Sequence, residues 1–399
     1  MTDLATIPAP LERPVTSPSM LKLRVMDAKD RVAALTIWRG LEQRVALPPL
    51  AASEAWTRVW LDHYGETVRF WFIVAEDEGQ VRGICLYTES AERKAPLLSL
   101  HTHHLGTAGD PVQESACVEY NSLLVEPAWR VAFQDAISHW LLTQSAGDVI
   151  QLDGFTAEET RELTAHWPAV EIRNRDSKYL DLEVVRSSGK DLIDHLGRST
   201  RANLRRKLRD YGDIETEWAT TLSQAEDIFA ELIDLHQARW QAIGERGAFG
   251  SSRFRNFQRT LLSELFPTHR CVVFRARHQG STVGALLLLV DRNRLLDYLS
   301  GLAAFDQKPS PGLVTHYLCQ CAALQRGFSA YDFLVGDKRH KENLSTHTQT
   351  LTWTRLHRPT VKSRIVAALT QLKRRMRPLP SGGSTVSSNT SETLSAEPE

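Results

Sequence analysis

The chain lacks a Cys-x-x-Cys pair, a Gly-x-Ser-x-Gly elbow, a dinucleotide fingerprint and a Walker loop. Those absences disfavour zinc or dithiol chemistry, serine-nucleophile hydrolysis, Rossmann-type redox and nucleotide hydrolysis. No stretch approaches the ~18 uninterrupted apolar residues of a membrane span, and the Pro-rich residues 1–20 contain no apolar h-region of a leader. Net charge is also missing: 48 basic residues balance 48 acidic ones, so any pull toward nucleic acid or acidic lipid must be local. Five cysteines, at 85, 117, 271, 319 and 321, are an odd set, and three of them (85, 319 and 321) lie in strongly apolar stretches. That usage suits reduced thiols, and the expected location is the cytoplasm, with peripheral membrane contact as an added option.

What is present is an ordinary globular composition, 42% hydrophobic and 24% charged over 399 residues, enough for two or three domains. Residues 1–20 and 378–399 carry no periodic apolar positions and are expected to be disordered. Between them the chain repeats an order of elements. Phe70 to Ala75 and Val81 to Tyr87 flank a turn at Gly79, and Cys271 to Ala276 and Val283 to Val290 flank a turn at Gly280. Each hairpin is followed by a helix and a buried strand: Ala128 to Leu142 before Val149 to Gly154, and Gly312 to Arg326 before Tyr331 to Gly336. Further helices are expected at Ala28 to Leu41 and at Thr221 to Ile243, the latter with Ala225, Ile228, Phe229, Leu232 and Leu235 at three-four spacing.

Chemistry is suggested first at Ser310-Pro311-Gly312. Serine suits an N-cap, proline the first helical position, and glycine lets another group reach the backbone, so free N–H groups at this helix start suit a phosphate. Lys308, just upstream, adds a charge suited to pyrophosphate. Asp332 lies in an otherwise apolar strand, where a carboxylate must be paired or used, and either a base or a paired structural residue fits. Ser199 to Arg209 is a cationic helix in which Leu204, Leu208 and Tyr211 form one stripe and Arg201, Arg205, Arg206, Lys207 and Arg209 the other faces. It suits an anionic acceptor or RNA as well as a solvated surface. The segment Arg355 to Arg377 is rich in Lys and Arg without an acid and has Val361, Ile365, Leu369 and Leu372 on one side. Its part 359–377 reads as a basic amphipathic helix, for an anionic membrane surface or for packing on the domain. His101, His103 and His104 lack a third ligand of matching spacing, so no metal is assigned.

Taken together, Leu295-Leu-Asp-Tyr-Leu-Ser-Gly301, Lys308 to Gly312, Arg326-Gly-Phe328, Tyr331 to Gly336 and His340-Lys341 resemble the CelD-like acetyltransferase branch of the GNAT superfamily, itself related to FemAB-like peptidyltransferases. Leu196 to Tyr211, Leu235 to Trp240, and Leu105-Gly106 with Glu119-Tyr120-Asn121 extend the resemblance over about residues 25 to 350. It implies an α/β fold of tandem GNAT-like domains, each a mixed, mostly antiparallel sheet flanked by helices, at 21–190 (acceptor side) and 191–358 (acyltransferase). It implies acetyl-CoA or another acyl-CoA as co-substrate, held at Lys308, Ser310, Pro311, Gly312 and Leu313. Asp332 is then a candidate base, Lys341 an oxyanion or phosphate partner and Tyr298 a proton donor to the leaving thiolate. Glu119, Tyr120, Asn121, Arg201, Arg205 and Trp240 are candidates for binding a small-molecule or sugar-precursor acceptor. The usual Gln/Arg-x-x-Gly-x-Gly/Ala loop is replaced by Lys-Pro-Ser-Pro-Gly. The activity expected is direct transfer to an amine or hydroxyl, with a cell-envelope or exopolysaccharide precursor among the acceptors. Aminoacyl-tRNA-dependent transfer, or a non-catalytic RNA- or membrane-associated scaffold, are the alternatives.

Overall fold

The computed structural model describes residues 21–95, 98–168, 170–304, 309–336 and 338–358. Both tails, Lys308 and the 359–377 segment lie outside the described residues. The strands are β1 (Lys22–Asp27), β2 (Arg69–Asp77), β3 (Gln80–Ala95), β4 (Leu98–Leu105), β5 (Leu124–Val125), β6 (Val149–Thr156), β7 (Val170–Asp181), β8 (Glu215–Trp218), β9 (Cys271–His278), β10 (Ser281–Asp291), β11 (Arg294–Leu302), β12 (Ala330–Val335) and β13 (His347–His357). The helices are α1 (Arg31–Glu42), α2 (Glu54–Tyr64), α3 (Arg130–Thr143), α4 (Ala157–Leu163), α5 (Leu182–Ser188), α6 (Arg198–Tyr211), α7 (Leu222–Ala242), α8 (Ser252–Leu265), α9 (Pro311–Gln325) and α10 (Arg339–Asn343).

Local chemistry sets several helix starts. Ser53, Thr156, Asp181, Thr221 and Ser251 each accept an N–H of the first turn of the helix they precede, α2, α4, α5, α7 and α8, each cap stabilising by about 1 kcal/mol. Along α7 the three-four spacing seen in the sequence becomes a buried stripe, Ala225, Ile228, Phe229, Leu232, Ile233, His236 and Trp240.

One sheet runs β1-β2-β3-β4-β6-β13-β7-β12-β11-β10-β9-β8, with β5 beside β3. The repeat is visible in space. In each half antiparallel strands lead to a parallel pair, β4 with β6 and β11 with β12, joined through a helix, α3 or α9. The strand after each pair leaves its own half. β7 follows β6 in sequence but pairs with β12, while β13 follows β12 and pairs with β6. β7 and β13 then pair with each other, from His347 against Tyr179 to Leu356 against Val170. Residues 21–190 and 191–358 therefore share one hydrogen-bonded sheet through exchanged strands.

On one face a core spans both halves, with Trp38, Trp60 and Phe72 from the first and Phe257, Leu261 and Leu287 from the second. Here α2 meets α8: the Trp56 and Phe257 rings stand edge-on at 5.9 Å, a geometry contributing about 0.5–1.5 kcal/mol beyond burial, and Arg58 pairs with Glu264 at 2.6 Å. On the other face α9 packs Val314, Cys319 and Ala323 against the second half, and α3 packs Phe133, Ile137 and Leu141 against the first.

Candidate active site

β11 and β12 pair only from Arg294 to Leu296 against Ala330 to Asp332. Beyond that they part, for two local reasons. β11 bulges at Tyr298, since Leu287 faces Leu299 and Leu288 faces Asp297. β12 turns through Leu334 in the left-handed region (φ 59°) and slips its register against β7. α9 starts at the opening, and Ser310 takes a left-handed conformation there, its side chain making no cap bond. The expected serine cap is thus absent, and the hydroxyl leaves the first-turn N–H groups alone.

In front of this helix start is a cleft of about 530 Å³. Ser310, Gly312 and Leu313 line it together with Leu302, Ser199, Thr200, Asn203 and Arg206 of the α6 region, Arg239 of α7, and Lys338, Arg339, His340 and Asn343. Four cationic side chains and the positive end of a helix converge on one concavity, a setting that favours a phosphate-bearing ligand. Pro311 is the buried first residue of α9 beside it. Arg239, Lys338 and Arg339 are not singled out in the sequence, and Arg206 is named there only as one of the charges of the cationic helix.

The adjoining end of β12 is held from both halves. Asp332 is fully buried, and its carboxylate accepts bonds from Tyr120 Oη (2.5 Å), Ser177 Oγ (2.5 Å), the N–H of Leu334 (2.8 Å) and the guanidinium of Arg294. Both carboxylate oxygens are thus engaged. Arg294 also lies over the Tyr179 and Tyr120 rings, at 4.6 and 5.2 Å. Lys341 is buried and donates to the carbonyls of Val335 (2.9 Å) and Leu334 (3.4 Å). A side chain at Gly336 would meet its Nζ at 2.9 Å, which with a φ of 147° explains the glycine. Lys341 thus fixes the turn where the strands part.

Tyr298 donates its phenolic proton to the Ala116 carbonyl (2.7 Å) and accepts from Gln258 (2.9 Å). Burial pushes its pKa well above the ordinary value, so the proton is firmly held. Asn121 anchors the segment that carries Glu119, donating to the carbonyls of Leu105 (3.1 Å) and Asp153 (3.2 Å). The chain approaches closely here, and a Cβ on Gly154 (φ 71°) would lie 2.6 Å from the Val118 carbonyl. Glu119 accepts the N–H of Val335 at 2.6 Å. Burial raises its pKa to about 7, although Lys341, that N–H and Arg175 pull it down.

Residues 198–342 match an acetyltransferase (GNAT) domain. The matched segment includes the cleft's α9 and Lys341. Among solved structures, the C-terminal DUF2156 domain of a protein assigned as a lysylphosphatidylglycerol synthetase, from Agrobacterium fabrum, superposes with a TM-score of 0.50 at 10% identity, over 86% of this chain and 96% of that one. FemX gives 0.49 at 11% identity over 82% and 96%. A tandem GNAT protein of the clavulanic acid pathway gives 0.40 at 14% identity over 85% and 100%. No curated protein matches the chain. The fold is an α/β arrangement of tandem GNAT-like units, and acyl transfer is the general chemistry to which the domain points.

The remaining sequence candidates sit away from the GNAT-domain cleft. Arg201 and Arg205, on the same helix as Arg206, are held by Asp194 at 3.4 and 3.1 Å. Trp240 is buried on α7, donating to His236 at 3.0 Å, while its neighbour Arg239 faces the cleft. Of the three histidines, His101 pairs with Glu89, His103 meets Tyr87, Ser145 and, at 3.8 Å, the same Glu89, and His104 meets Ser90. Among the described residues, no group of three or more His, Cys, Asp or Glu is placed to hold a metal, and no helix is long and apolar enough to cross a membrane.

Proposed function

We propose that the protein is an acyl-CoA-dependent N- or O-acyltransferase, most simply an acetyltransferase of the CelD-like branch. The observation that carries this reading is the cationic cleft at the start of α9, inside the segment that matches a GNAT domain. In this reading Arg206, Arg239, Lys338 and Arg339 meet the donor's phosphates, and the acyl arm runs into the gap between β11 and β12. An acceptor amine or hydroxyl attacks the thioester carbonyl directly, a tetrahedral intermediate forms and the CoA thiolate leaves. The protein's share is to align the two reactants and dispose of the proton. The acceptor class implied by the resemblance is a cell-envelope or exopolysaccharide precursor.

Calorimetric titration with CoA and desulfo-CoA tests the reading. Wild-type protein should bind both, and Arg206→Glu, a reversal on an exposed residue at the cleft rim, should weaken binding at least tenfold while Arg209→Glu leaves it unchanged. Absence of binding by the wild type sinks the reading. Aminoacyl transfer from tRNA is a second reading, favoured by the exposed arginines 198, 205 and 209 on the helix that also supplies Arg206; activity abolished by ribonuclease would select it.

A further inference from the structure

Direct attack on a thioester requires a group that takes the acceptor's proton, and neither Asp332, the base candidate from the sequence, nor the nearby Tyr298 is free to do so. Asp332 has both oxygens engaged, and Tyr298 already donates to a carbonyl. We infer that Glu119, contributed by the first half of the chain, is the general base for the reaction proposed at the second half's cleft.

The inference rests on the acyl-transfer reading and on four features of position. Glu119 Oε2 is fixed by the N–H of Val335, the residue immediately after the left-handed Leu334, so the carboxylate is pinned where β12 peels away from β11. Its other oxygen, Oε1, has no hydrogen-bond partner among the described residues. Glu119 borders a small cavity of about 20 Å³, shared with Cys117, Tyr298 and Leu334, room for about one water or one reacting head-group. The cavity abuts Tyr298, the residue at which β11 bulges and the two strands begin to open.

The surroundings suit proton exchange near neutrality. Lys341 of α10 and Arg175 of β7 favour the carboxylate, Asp332 of β12 opposes it, and burial outweighs the cations, holding the group at about 7. Cys117 and Asp110 of the same loop, Asp153, and Tyr120, Tyr298 and Asp291 of the cavity lining are the further titratable groups on this side; Cys117 is itself pushed up to about 12, by desolvation first and then by the acids around it. The thiol is therefore protonated in the working range, which leaves the carboxylate as the acceptor.

In the step inferred, the acceptor's lone pair forms the new bond to the acyl carbon, and the carbonyl π pair moves to oxygen. The acceptor's proton passes to Glu119 Oε1. Collapse of the intermediate breaks the C–S bond with its electron pair on sulfur, the thiolate is protonated from solvent, and Glu119 returns its proton to solvent. The sum is acyl-CoA plus H–X giving acyl-X plus CoA, with no other reactant.

The test follows consumption of acetyl-CoA against pH, with water and then hydroxylamine as probe nucleophiles, alongside calorimetric CoA binding. Wild-type turnover should rise with pH through an apparent pKa near 7. Glu119→Gln, which can still accept the Val335 N–H, should lower hydrolysis about a hundredfold or more and abolish that limb without changing CoA affinity. Lys341→Gln, which removes the nearest cation, should shift the limb to higher pH. A Glu119→Gln enzyme with wild-type rate and limb overturns the inference and leaves the donor reading intact. Wild-type protein that binds CoA yet turns over neither probe also counts against Glu119, whereas absence of CoA binding removes the donor reading and the inference with it.

Discussion

Asp332 ties Tyr120, Ser177, Arg294 and the Leu334 N–H into one buried cluster. Removing it strands the Arg294 guanidinium, which is 24% exposed and points into the seam. Asp332→Ala should therefore cost about 3–5 kcal/mol, measured as a lower urea midpoint, with CoA affinity retained in whatever fraction remains folded. His103 makes a second prediction at this scale. Burial holds its pKa down at about 4, against an ordinary 6.5, despite the nearby Glu89. The native protein thus keeps this imidazole neutral while the unfolded chain protonates it, so the stability it contributes is complete above pH 6.5 and is lost as pH falls toward 4. His103→Gln should show a smaller drop in Tm than wild type over that interval. Residue types were legible where a local rule governs them, as with Pro311 and Gly312 at the start of α9. The cleft cations were not, because Arg206, which faces the cleft, is the immediate neighbour of Arg205, which Asp194 claims together with Arg201. That choice depends on how the helix docks, which no local spacing records.

At the level of elements, α3 and α9 occupy equivalent places after the two hairpins, but their starts differ. Before α3 stands the short turn Pro127–Trp129, and Glu126 ahead of it is bound by Arg44 and Arg82 at 2.8 and 2.9 Å. The start of α9 instead opens onto a cleft lined with cations. Calorimetry should accordingly report one CoA per chain, and two would contradict this account. The hairpins, α7 and both buried strands of the repeat were readable because their apolar periodicity is strong. β7 and β13 escaped for a physical reason: Glu171, Ile172, Arg173 and Asn174 are all exposed, so β7 shows no alternation there. Its strand character comes from ladders to β12 and β13, partners distant in sequence.

For the whole molecule, the exchanged strands and the core shared by α2 and α8 make the two halves one cooperative unit. Calorimetric unfolding should give a single transition, with agreement between the calorimetric and van't Hoff enthalpies. Two separated transitions would show that 21–190 and 191–358 fold apart. The same exchange carries Tyr120 and Glu119 of the first half onto β12 of the second.

The link from β7 to the second half passes through Gly189 and Lys190, both exposed and on the surface after α5. Backbone continuity there adds little to an assembly already held by the ladders of β7 with β12 and of β13 with β6. A trypsin cut after Lys190 would leave two polypeptides still interlocked, each retaining a strand in the other's sheet, and they would separate only on denaturation.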